Sequence, residues 1–167
     1  MQLEKCCTFG EKNLITVCFM ELDKNGIAVG GTKEDKKQRK QFIIDFYGEW
    51  ITANPTKRLY NKSLEAFIEV RFLSVEETAG HASSIYKSTV AVTFLSEIIE
   101  NAIASKDKKG NIITETPKPN VKNQSRFSKL FIMGYEKTGI GKIKLTVGEL
   151  RNSGQKIQYC ITAIEND

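Results

Sequence analysis

Three runs at the end of the chain, Phe127 to Tyr135, Lys142 to Val147 and Lys156 to Ile164, are rich in β-branched and aromatic side chains. Glu136-Lys137-Thr138-Gly139 and Arg151-Asn152-Ser153-Gly154 separate them, short polar connections of hairpin length that each contain a glycine. The three runs therefore read as an antiparallel meander. This constrains the rest of the chain, because a sheet with one apolar face must bury it against a second layer.

The strongest candidate for that layer is Ser88 to Ser105. Val90, Ala91, Phe94, Leu95, Ile98, Ile99, Ala102 and Ile103 recur there as pairs every four residues, the spacing of one wide helical stripe. A second helix is expected from Lys33 to Thr52, capped by Thr32 and carrying Glu34 and Asp35 in its first turn. Phe42, Ile43, Phe46, Tyr47, Trp50 and Ile51 form a buried stripe in its C-terminal half, and the charged run Lys33 to Lys40 reads as a solvated start. Asn54-Pro55 ends it.

Glu65 to Leu73 alternates, with Ala66, Ile68, Val70 and Phe72 pointing one way and Phe67, Glu69 and Arg71 the other. Ser74-Val75-Glu76-Glu77 has the form of a capping box, which predicts a short helix ending at Gly80 with His81 just past it. Ile112 to Lys118 is expected to be a short edge strand, and Asn120 to Ser125 a mobile loop without apolar anchors. Near the start, Leu14 to Leu22 reads as a strand entering the turn Asp23-Lys24-Asn25-Gly26. The predicted class is α+β: two main helices packed on one face of an antiparallel sheet with a C-terminal β-meander. The 167 residues suit one domain, with residues 1–31 as a hairpin-like extension and 32–167 as the helix-plus-meander body.

Several function classes are disfavoured. There is no Walker loop, no dinucleotide fingerprint, no His-Glu-x-x-His and no Gly-x-Ser-x-Gly. Cys6, Cys7, Cys18 and Cys160 include no CxxC pair, and His81 is the only histidine, so neither a metal nor a cofactor is expected. A Cys18–Cys160 disulfide would require the two strands to be neighbours. No signal sequence or membrane-spanning run is apparent, and a cytoplasmic protein with no membrane partner is expected.

The charge distribution points to chemistry. The chain carries a net +5, yet residues 106 to 144 alone hold ten basic and three acidic residues, a net +7. If Gly141, Ile143, Leu145 and Val147 face the helices with Ala66, Ile68, Val70 and Phe72, then Lys142, Lys144 and Thr146 face water beside Glu69 and Arg71, with Arg126 at the start of the adjoining strand. Such a face can hold a phosphodiester. In metal-free RNA cleavage one group takes the 2′-hydroxyl proton and another protonates the leaving oxygen, with cations between. Glu69 as base, His81 as acid and Lys144 at the phosphate are the catalytic candidates; Arg71, Arg126, Lys129 and Lys142 are the nucleic-acid-binding candidates. Tyr135 and Tyr159 could stack on a base.

Asn61-Lys62 before Phe67-Ile68-Glu69-Val70, then His81-Ala82, Leu95-Ser96-Glu97-Ile98-Ile99-Glu100-Asn101-Ala102, Arg126-Phe127, Ile143-Lys144-Leu145-Thr146-Val147 and Tyr159-Cys160-Ile161-Thr162 resemble the large polyvalent protein-associated domains of phages and conjugative elements. The resemblance spans roughly residues 36 to 165. Such domains share the helices-then-meander layout of the barnase, EndoU, colicin-type and RelE-type nucleases. The resemblance implies an α+β protein associated with mobile elements, with RNA cleavage or modulation of host defence as its role; joined to the basic sheet face read above, it gives a mobile-element accessory protein that binds RNA, DNA or a host or phage protein through that face. The alternative it implies is a metal-independent ribonuclease-like enzyme.

Overall fold

The computed structural model describes the backbone of residues 2–9 and 15–165 and the side chains of 19–165. Strands β1 (Gln2–Phe9) and β2 (Ile15–Leu22) pair antiparallel as a separate two-stranded ribbon. Asp23 then builds the expected turn, its Oδ1 accepting from the Asn25 and Ile27 N–H groups. The side chains of Cys6, Cys7 and Cys18, and the Asn13-Leu14 strand boundary, lie outside the described residues.

Helix α1 (Lys33–Ala53) starts with a reciprocal cap: Thr32 Oγ1 accepts from the Asp35 N–H at 3.1 Å, and Asp35 Oδ2 accepts from the Thr32 N–H at 2.9 Å. At its end the Asn54 amide donates to the Trp50 carbonyl before Pro55. The solvated start requires correction. Asp35, Arg39, Ile43, Tyr47 and Trp50 form one buried stripe at steps of three and four, so the covered face extends into the charged run. Arg39 is 1% exposed and donates to the carbonyls of Ser83, Ala28 and Gly30.

Strands β3 (Arg58–Asn61) and β4 (Ala66–Glu69) form an antiparallel pair. The expected strand to Leu73 is cut short. The Val70 N–H turns to the Lys57 carbonyl, and helix α2 (Phe72–Ala82) begins, with Ser74 Oγ accepting from the Arg71 N–H at 2.9 Å. Ser74 thus caps from inside the helix rather than preceding it. Phe72, expected on the covered face, is 82% exposed. The helix continues through Gly80, which places His81 in its last turn.

The long helix expected over Ser88 to Ser105 is two helices, α3 (Tyr86–Val92) and α4 (Leu95–Asn101). The Thr93 hydroxyl and the Phe94 N–H bond to carbonyls three residues back, Val90 and Ala91, which tightens the turn and breaks the helix. The apolar stripe survives the break through Ala91, Leu95, Ile98, Ile99 and Ala102, all buried, with Val90 and Phe94 partly buried against them, but its expected last member Ile103 is 66% exposed. The buried Asn61 amide donates to the Ile99 and Ala102 carbonyls and ends α4.

After β5 (Ile103–Ala104), β6 (Thr114–Glu115) is the short remnant of the expected edge strand. The meander forms as expected: β7 (Phe127–Lys137), β8 (Gly141–Leu150) and β9 (Lys156–Ala163) pair antiparallel in sequence. The fold is α+β, with four helices packed on a sheet of order β3-β4-β9-β8-β7-β5, β6 also pairing with β7. The sheet is mixed rather than wholly antiparallel, because β4 runs parallel to β9 at Ile68–Lys156 and Glu69–Ile157. Beyond that point α2 lies along β9 in place of a strand. Gln158 accepts from the Tyr47 hydroxyl and donates to Thr78, and Ser88 Oγ takes the Ala163 N–H.

As expected, Ile143, Leu145 and Val147 lie in the core beneath the helices. The opposite face is not open along its length. Leu73, Phe127, Leu130, Ile157 and Tyr159 form a second apolar cluster there, with the Phe127 ring seated on Gly148. No described helix is long and apolar enough to cross a membrane. Cys160 is a free thiol, and β2 does not pair with β9, so the neighbouring strands that a Cys18–Cys160 bridge requires are not found.

Candidate functional site

Strand alternation builds the floor of a cleft on the face away from the helices. Lys144 lies opposite Thr162 on β9 and Gly134 on β7; one row along, Thr146 lies opposite Cys160 and Ile132. The next row, Leu130, Gly148 and Ile157, belongs to the second apolar cluster. Residues 117–126 cross above as a strap. The mobility expected of Asn120 to Ser125 within it is corrected by its anchors: the Asn123 amide donates to Glu77 at 2.8 Å, Lys122 pairs with Glu76, and Gln124 Oε1 accepts from the Lys118 N–H. Between strap and floor lies a cleft of about 380 Å³, with His81 on one wall and Glu115 and Lys118 on the other.

His81 Nε2 is 3.5 Å from Glu77 Oε2, one helical turn back, which leaves Nδ1 for other partners. Burial, with Glu77 adding to the effect, pushes the Tyr159 phenol up to about 12. Burial and Glu77 do the same to the Cys160 thiol, also to about 12. Cys160 is therefore a protonated thiol at neutral pH and no nucleophile. Among the described residues no group of three or more His, Cys, Asp or Glu side chains gathers as a metal ion requires.

A second depression, of about 500 Å³, lies on the other side of the strap, lined by Arg71, Phe72, Glu76, Lys122 and Arg126 among others. The Phe72 ring stands out from the α2 start among these cations. Lys122 holds the Glu76 carboxyl below the usual carboxylate range through its hydrogen bond. The strap thus serves both depressions, Lys118 to one and Lys122 and Arg126 to the other.

The expected site residues divide among several places. His81 and Lys144 share the cleft, and Arg71 and Arg126 share the Phe72 notch. Glu69 joins neither. It pairs with Arg71 at 2.9 Å and lines a shallow hollow of about 60 Å³ beside Arg58, Phe67, Gln155 and Lys156. The three catalytic candidates are therefore not assembled, because β4 meets the start of β9 while α2 carries His81 toward its other end. Lys129 belongs to the opposite face, in a row with Glu149 and Lys156 and with its ammonium over the Phe131 ring. Lys142 is exposed at the far end: its carbonyl takes the Ile164 N–H, whereas Arg71 holds Gln155. Those two points lie nine residues apart along β9, roughly 30 Å.

Glu77, Thr162, Lys118, Lys122 and Phe72 are the site residues that sequence reasoning missed. The Glu77–His81 spacing of four would have revealed one of them had the helix been extended past Gly80. Compared with protein-family models, curated proteins and solved structures, the chain matches none.

Proposed function

We propose that the chain is a mobile-element accessory module that binds single-stranded nucleic acid across the strap. One observation carries this reading: Phe72, a large apolar ring left 82% exposed, stands in a notch with Arg126, which has no ion pair among the described residues, and with Arg71 and Lys122, which pair with Glu69 and Glu76. A solvated aromatic among cations is what an unpaired base and its phosphates require, the ring stacking on the base and the cations following the backbone. Lys118 and Lys144 continue the positive path into the cleft on the strap's other side. The resemblance to polyvalent domains supports the mobile-element setting.

Fluorescence anisotropy with labelled oligo-uridine and oligo-thymidine of about 20 nucleotides tests the reading. Binding is expected at low salt, weakening steeply as salt rises. Phe72→Ala reduces affinity about tenfold, the loss of one stacked base. Arg126→Ala weakens binding and flattens the salt dependence. Absence of binding at about 50 mM salt, or indifference to both substitutions, refutes it.

Metal-independent RNA cleavage is a second reading, favoured by the position of His81, backed by Glu77, in the same cleft as Lys144. With Nε2 facing Glu77, Nδ1 is the atom able to exchange a proton with substrate. Incubation with labelled RNA in EDTA decides it: cleavage must appear and must fall at least a hundredfold in His81→Ala.

A further inference from the structure

Thr146 is only 8% exposed, yet among the described residues its hydroxyl bonds to no protein group and lines the cleft. Solvent reaches this hydroxyl through the cleft, so it is free to bond a ligand there. Lys144, on the same face two residues away, forms no ion pair among the described residues. Across from it Gly134 has no side chain, and a Cβ built there would meet nothing within 4 Å, so the space beside the ammonium stays clear. Thr162 is its partner on β9. The Glu77 carbonyl lies 3.9 Å from Cys160 Sγ, and one helical turn further on His81 reaches this same end.

The other end of the cleft is different in kind. Leu130, Val121 and Tyr159 line it beneath the strap, with Glu115 at its edge across from Leu130 and Ile132 in the middle row beside Thr146. From the Gly134 row to the Leu130 row is four residues of β7, about 13 Å. The cleft therefore has a cationic, hydroxyl-bearing end and an aromatic, largely apolar end edged by the Glu115 carboxylate, in a volume of about 380 Å³ within the range of small-molecule sites.

We infer that this cleft is a nucleoside monophosphate site, holding the phosphate at Lys144, Thr146 and Thr162 and the base beneath the strap against Tyr159 and Ile132. The ligand is either a free nucleotide or the phosphorylated terminal nucleotide of a strand. In the second case the inference rests on the strand-binding reading above and specifies which part of the strand enters the cleft.

Titration calorimetry on the whole chain tests it with AMP, CMP, GMP and UMP, the matching nucleosides, and inorganic phosphate. At least one monophosphate binds, and its nucleoside and inorganic phosphate each bind at least tenfold more weakly. Lys144→Met and Thr146→Val each lower the affinity at least tenfold, with the melting temperature confirming that the variants fold. Lys109→Met, in the exposed 106–111 turn, leaves it unchanged. No heat with any monophosphate at millimolar concentration overturns the inference, as does equal binding of inorganic phosphate or indifference to both substitutions. Oligonucleotides with and without a 5′- or 3′-phosphate separate the two sources: a terminal phosphate that strengthens binding through Lys144 supports the strand end, and monophosphate binding without that gain supports a free nucleotide. Monophosphate binding in a chain that ignores oligonucleotides removes the strand reading alone; the converse removes this inference alone.

Discussion

Arg39 bonds to three main-chain carbonyls at 2.6 to 2.8 Å and ties α1 to the Ala28–Gly30 loop and to the end of α2. Burial lowers its pKa, while nearby Asp35 acts in the opposite direction. Arg39→Met leaves those carbonyls without their donor in a dry site and is expected to destabilise the protein by about 3 kcal/mol, read as a lower urea midpoint. A loss under about 1 kcal/mol would mean that water replaces the guanidinium. Gly148 is constrained by space. A Cβ there would lie 2.5 Å from the Phe127 ring, so Gly148→Ala is expected to cost about 2 kcal/mol. The cost should shrink in Phe127→Leu, measured as a double-mutant cycle. Neither constraint is visible along the chain: Arg39 sits in a run of charges, and its Ser83 partner is 44 residues distant.

At the scale of elements, the tether between the Asp23 turn and α3 controls part of the acid stability. The Tyr86 hydroxyl donates to Asp23 Oδ2 at 2.7 Å. Burial acts to raise the Asp23 pKa, but the N–H groups of Ile27 and Asn25 and the Tyr86 hydroxyl outweigh it and hold it below the ordinary value. A depressed carboxylate contributes stability that is full above its unfolded pKa, near 4, and is lost as pH falls through the folded value. Asp23→Asn should therefore be about 1 kcal/mol less stable than the parent at pH 7, with the difference shrinking as pH falls below about 4. Urea midpoints across that range measure it; a constant difference contradicts the assignment. The meander was legible because a period of two survives any environment. The break between α3 and α4 was not, since the stripe from Val90 to Ile103 reads the same through a turn at Thr93 and Phe94. The same limit displaced the α2 start by three residues and moved Phe72 from the expected core to the surface.

Across the whole molecule, buried phenols set the alkaline limit. Tyr47 is fully enclosed between Thr78 and Gln158, and burial raises its pKa far above the ordinary value. Tyr86 and Tyr159 rise to about 12, both chiefly through burial. Groups whose folded pKa is raised contribute stability that is full below their unfolded value, near 10, and is lost as pH climbs through the folded one. Ionisation followed at 295 nm should show these three tyrosines titrating together with the loss of helical circular dichroism, near pH 11 to 12. These three titrating near pH 10 in a chain that keeps its helices would contradict the burial described.

Local patterns determined the class of fold, the three closing strands, the Thr32 cap, the Asp23 turn and which side of β8 is apolar. These are properties of residues within a few positions of one another, and their periods and turn chemistry act before any distant segment arrives. Tertiary structure alone decided what lies on the other face of the sheet. The strap's attachment to α2, the seat of Phe127 on Gly148, the sharing of one cleft by His81 and Lys144 and the separation of Glu69 from both arise between segments tens of residues apart. Periodicity says which face of an element must be covered, and only the packing of the whole chain selects the group that covers it.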